Sequence, residues 1–78
     1  MKQFSIALRS FADVRAFVSL AMVQPFQVLV GSETQSINGK NFMGMSSLDY
    51  RRPLQVRVDC DDQEFLKFRK AAAQFVIA

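Results

Sequence analysis

Phe4, Ile6 and Leu8 alternate with Gln3, Ser5 and Ala7, the period of two that turns one side of a strand to a core and the other to water. The period then lengthens. Ser10 stands three residues before Asp13, so its hydroxyl can accept from an orphan amide at a helix start while the acid complements the helix dipole. A helix is predicted over residues 11–23, with Phe11, Val14, Phe17 or Val18, and Ala21 on its buried side. Pro25 stops it, because the preceding Gln24 is biased toward extended geometry. Phe26, Val28 and Val30 restart the alternation, Gly31-Ser32-Glu33-Thr34 reads as a turn, and a short strand follows near residues 35–37. Asn38-Gly39 is a turn signal of its own.

Asn41 is a good N-cap for a short helix over residues 42–48. Pro53 pushes Arg52 toward extended geometry, so Arg51-Arg52-Pro53 does not continue that helix. Leu54, Val56 and Val58 form the inward side of another strand, opposite Gln55, Arg57 and Asp59. Asp61 and Glu64 make a second capping arrangement before Phe65, Phe68, Ala72, Phe75 and Val76, which recur at helical spacing. The order is strand, helix, two strands, helix, strand, helix. It predicts an α+β domain, an open-faced sandwich with helices on one side of a mostly antiparallel sheet. Residues 1–78 read as a single domain, with no linker, repeat or low-complexity tract.

Length and composition narrow the function classes. A chain of 78 residues buries only about 60% of its unfolded surface, which leaves little room for a large cleft. Half the residues are hydrophobic and eight are Phe, enough for a packed core and too apolar for a disordered chain. No apolar run approaches the roughly 20 residues of a membrane span, and Met1-Lys2-Gln3 leads into alternation rather than a signal-peptide core. The expectation is a cytoplasmic protein without membrane insertion. The single Cys60 cannot close an intrachain disulfide, and with no histidine in the sequence there is no zinc set and no thiol–imidazole pair. No metal and no cofactor is expected, and Cys60 reads as a small buried hydrophobe. Asp59, Asp61 and Asp62 crowd one helix start, where capping accounts for them. No catalytic set remains, so the chain does not read as an enzyme.

The segment Ile37-Asn38-Gly39-Lys40-Asn41-Phe42-Met43-Gly44-Met45-Ser46-Ser47-Leu48 resembles the strand, turn and short second helix of HPr, the phosphocarrier of the bacterial sugar phosphotransferase system. The rest of the pattern is similar to that family as well. The resemblance implies a four-stranded antiparallel sheet in the order 1-4-2-3, with three helices covering one face. It also implies phosphate transfer through one histidine, which this sequence lacks. When Phe17-Val18 is aligned with the phenylalanine-valine common in the family's first helix, Ser10 falls at the phosphohistidine position. Ala12 then replaces the partner arginine and Asp13 the helix-starting proline. A one-residue shift would put Arg9 or Phe11 in the place of Ser10.

The carrier chemistry combines a nucleophilic imidazole with the amides of a helix N-terminus, which hold the phosphate together with the arginine. Ser10 can bind an anion there or form a stable ester, but a serine phosphate is a poor leaving group for rapid relay and Asp13 repels it. The simpler reading, which we prefer, is that Ser10 is a plain cap. Many family members carry a regulatory serine at the start of the short helix; the aligned residue here is Asn41, which takes no phosphate. Ser46 and Ser47 lie too far along the helix to replace it, where a phosphate would meet the negative end of the dipole.

The resemblance also implies a docking surface on the short helix and the exposed end of the first. Phe42, Met43, Met45 and Leu48 occupy that helix, two of them expected in the core and two partly exposed, and methionines suit adaptable interfaces. Arg9, Arg15, Lys40, Arg51 and Arg52 could rim this side, either as a solvated edge or as a match for an acidic protein partner. The partner-binding residues expected are Phe42, Met43, Met45, Leu48, Arg51 and Arg52. The partner expected is a phosphotransferase-system enzyme or a transcriptional regulator. RNA binding across the bare sheet face is a third possibility, but the outward positions Gln3, Ser5, Ala7, Gln27, Leu29, Gln55 and Arg57 hold no ring on which a base could stack, and the net charge is only +3. The reading is an HPr-like domain that has lost its carrier site and binds protein; its alternative is a phosphocarrier that uses a residue such as Ser10.

Overall fold

The computed structural model describes residues 2–32 and 34–77. In chain order the elements are β1 (Lys2–Ile6), α1 (Phe11–Met22), β2 (Val28–Gly31), β3 (Ser36–Asn38), α2 (Phe42–Ser46), β4 (Leu54–Val58), α3 (Asp62–Ala71) and β5 (Val76–Ile77). All pairings are antiparallel and the sheet order is β3-β2-β4-β1-β5. The expected 1-4-2-3 arrangement lies within it, but the sheet has five strands rather than four. The turn expected over 31–34 includes Glu33, outside the described residues; the Ser32 amide closes it by donating to the Gln35 carbonyl at 2.9 Å.

The fifth strand corrects the reading of the C-terminal segment. Phe65, Phe68, Ala72, Phe75 and Val76 have helical spacing, yet α3 ends at Ala71 and tight turns follow, with Phe75 N–H donating to the Ala72 carbonyl at 2.9 Å. Val76 and Ile77 then pair with Ile6 and Ser5 on the edge of β1. Two causes favour this. β-branched residues suit a strand, and the β1 edge would otherwise present unpaired backbone groups, one of which, the Ala7 amide, donates to the Phe75 carbonyl at 2.8 Å.

Strand alternation builds the core as the sequence predicts. On the inner face Ile37, Val30, Val56 and Phe4 line up across β3, β2, β4 and β1. Val14, Phe17, Val18 and Ala21 from α1, Met45 from α2 and Phe68 from α3 join the same buried cluster. The outer face carries the rows Gln3–Arg57–Leu29–Asn38 and Ser5–Gln55–Gly31–Ser36, and the Gln55 amide donates to the Ser5 hydroxyl at 2.7 Å. Neither row holds an aromatic ring. No helix among the described residues is long and apolar enough to cross a membrane.

Gly39 is needed for a close approach rather than for a left-handed backbone. Its amide donates to the Val28 carbonyl at 2.8 Å, and a Cβ there would stand 2.9 Å from methyls of both Val28 and Val30. Those methyls belong to stiff β-branched side chains that are wholly buried. Gly39→Ala should therefore cost about 1–3 kcal/mol through overpacking, read as a lower urea midpoint with unchanged slope.

Candidate functional site

Ser10 caps α1 as the sequence predicts. Its hydroxyl accepts from the Asp13 amide at 3.2 Å, and the Asp13 carboxylate folds back to accept from the Arg9 amide at 3.0 Å. The Ser10 side chain thus satisfies an amide of the first turn, and the Asp13 side chain ties down the residue that precedes the cap. A carboxylate lies over the first turn beside the Ser10 hydroxyl. That arrangement repels a second anion at the same place.

Asn41 caps α2 in the same way, its side-chain oxygen accepting from the Gly44 amide at 3.2 Å. The helix stops at Ser46, two residues short of the expected end. Ser46 and Ser47 hydroxyls donate back to the carbonyls of Met43 (2.9 Å) and Gly44 (2.7 Å), a competition with the helical ladder that weakens the last turn.

The two helix starts meet. Phe11, directly after Ser10, stands edge to face with Phe42, directly after Asn41, at a centroid distance of 5.3 Å and an interplanar angle of 81°. This corrects the expectation that Phe11 is buried. As the first residue of α1 it overhangs α2 rather than the sheet, and it remains 51% exposed. An open groove of about 380 Å³ runs from this ring pair along α1, lined by Phe11, Arg15, Val18, Ser19, Met22 and Phe42.

Of the six residues expected to bind a partner, one lines this groove. Phe42 is half-buried in its wall, and its neighbour Met43 is 79% exposed but does not line it. Met45, on α2, and Leu48, in the turn just after it, are core residues and not contact residues, both buried in the cluster between helices and sheet. Arg51 and Arg52 do not line the groove. Both guanidinium groups reach Asp49, at 3.5 and 3.4 Å, in the loop after α2.

Arg15, expected on the rim of this side, lines the groove; Ser19, one helical turn on, and Met22, 62% exposed, were not anticipated. The Lys40 ammonium donates to the Gln24 carbonyl at 2.7 Å, just past α1. The last turn of α1 has no basic residue, and Lys40, from the turn between β3 and α2, supplies that missing charge. Absence of a cation at the helix end was the available signal. Cys60 is half-buried against the core, and burial pushes its thiol up, away from the reactive thiolate. Among the described residues no cluster of potential metal ligands forms.

No protein-family model and no curated protein matches this chain. Among solved structures it is similar to the crystal structure of HPr-C-His from Thermoanaerobacter tengcongensis, at 23% identity and a TM-score of 0.76. The match covers 95% of this chain and 89% of that one. The chain has an HPr-like fold. At this identity the likeness is one of architecture, and the residues at the helix starts are argued on their own chemistry.

Proposed function

We propose that this chain is an HPr-like domain that has lost the histidine phosphocarrier site and serves as a protein-binding or regulatory module related to the phosphoenolpyruvate-dependent sugar phosphotransferase system. The observation that carries the reading is the start of α1. A sequence without histidine offers no imidazole there, and the aligned Ser10 is engaged as a cap with the Asp13 carboxylate folded over the same turn. The nearby ring pair of Phe11 and Phe42 supports the second half of the reading, since an apolar wall suits a protein surface better than a phosphate. The domain belongs in this reading among non-enzymatic proteins of the bacterial cytoplasm. Its partner is another protein, a phosphotransferase-system enzyme or a transcriptional regulator.

The alternative, phosphate carried on Ser10, draws on the exposure of that hydroxyl. Reconstitution separates the two. Incubation with the first enzyme of the system and phosphoenolpyruvate should leave the intact mass unchanged, with no acid-labile phosphoryl group. The kinase that modifies HPr should leave Ser46 and Ser47 unmodified, because both hydroxyls are back-bonded to carbonyls of α2. A stoichiometric gain of one phosphate in either assay would sink the non-carrier reading.

A further inference from the structure

We propose that residues 72–77 are a strap with two arrangements: the one seen here, which turns back and closes the edge of β1 as β5, and a continuation of α3 that leaves this edge open. Nothing in the segment itself ends the helix. Ala71-Ala72-Ala73-Gln74-Phe75-Val76-Ile77 holds no glycine, proline or asparagine, the usual terminators. The C-cap Ala72 has φ −94° and ψ 13°, and no positive φ occurs among the described residues, so the left-handed turn that commonly closes a helix is absent. Alanine and glutamine are good helix formers.

Either arrangement suits the same side chains. Phe68, Ala72, Phe75 and Val76 stand at i, i+4, i+7 and i+8, so a continued helix turns inward the residues that the strap already packs against the core. Three bonds of the i to i−3 kind follow α3: the amides of Ala73, Phe75 and Val76 donate to the carbonyls of Lys70 (3.2 Å), Ala72 (2.9 Å) and Ala73 (3.2 Å). Moving each donor to the carbonyl one residue further back makes the same turns α-helical. A helix over residues 62–77 runs about 24 Å at 1.5 Å per residue, within the 29 Å longest extent of the domain.

What selects the strap is the edge of β1. Val76 and Ile77 pair with Ile6 and Ser5, and the Ala7 amide donates to the Phe75 carbonyl at 2.8 Å. These contacts are few, and both residues of β5 are only half-buried, the setting in which a segment opens at far less cost than the core. Opening bares the edge of β1 from Ser5 to Ala7, a row of backbone groups that an extended segment of chain can pair with. The strap thus decides whether β1 is an inner strand or an edge, whether or not the domain carries phosphate.

The test follows the intact, isotopically labelled chain by saturation-transfer NMR, which detects sparsely populated states. Residues 73–77 and the Ala7 amide should exchange at one shared rate with a minor state whose Cα shifts at 73–77 are helical. Val76→Ala combined with Ile77→Ala should raise the population of that state at least about fivefold, the helix preference of two alanines over two β-branched residues. Val76→Thr combined with Ile77→Thr also removes apolar surface but keeps the β-branch, and should not raise it. A flat exchange profile at residues 73–77, random-coil shifts in the minor state, or an equal response to the alanine and threonine pairs would overturn the proposal. If either pair unfolded the domain, the exchange profile of the unaltered chain would still decide.

Discussion

Phe68→Ala should remove about 3–5 kcal/mol of stability, the range for deleting a buried ring without repacking. Phe68 has no exposed surface and is the one buried residue of α3 itself. Its ring meets Phe4 and Phe26 at 5.8 Å and Phe17 at 6.0 Å, joining β1, the segment before β2, and α1. Those partners sit on separate elements, so the cavity cannot close by moving one of them. A domain of 78 residues has a total stability of only about 4–12 kcal/mol at the usual 0.05–0.15 per residue. The variant should therefore be partly unfolded at 37 °C. Urea denaturation followed by circular dichroism measures the loss, and a change below about 1 kcal/mol would mean that α3 does not dock through this ring.

The strands and helix caps were legible because their determinants are local. Alternation at Phe4, Ile6 and Leu8 and again at Leu54, Val56 and Val58 specifies the inward side of β1 and β4 whatever lies beside them. Ser10, Asn41 and Asp61 each bond an amide three residues on, within reach of the chain's own turn. The C-terminal segment was not legible for a different reason. Phe68, Ala72 and Phe75 are all buried, and the same spacing serves either a continued helix or a helix that ends at Ala71 and turns back. What decides is the vacant edge of β1, a partner some 70 residues away in the chain.

The groove escaped for a similar reason. Its lining comes from α1 and α2, and nothing local states how those helices lie against one another. The Lys40–Gln24 contact and the Phe11–Phe42 ring pair fix that relation, and both join residues far apart in sequence. The methionines of α2 illustrate the limit. Met43 and Met45 are two apart, so about 200° of helical rotation separates them and only one can face the core. Leu48, three beyond Met45, was the available sign of which one.

Met43→Glu and Met45→Glu should differ more than any other pair of like substitutions in this chain. Met43 is 79% exposed, and a surface change of this kind falls within about 0.5 kcal/mol. Met45 is 1% exposed in the centre of the cluster that unites the helices with the sheet. A carboxylate there has no partner and is desolvated, so Met45→Glu should lose at least about 4 kcal/mol and populate the unfolded state at neutral pH. Burial raises the pKa of the introduced carboxyl in the folded state above its unfolded value near 4.3. In that case the folded form binds more protons over the interval between the two values, and stability falls as pH rises through it. Met45→Glu should accordingly recover part of its loss when the pH is lowered to about 4, the region of the unfolded pKa, while Met43→Glu should show no such recovery relative to the parent. Thermal unfolding at pH 4 and pH 7 measures both. If Met45→Glu melted within a few degrees of Met43→Glu at both values, the short helix would not dock on the sheet through Met45, and the division of its side chains between core and contact surface would be wrong.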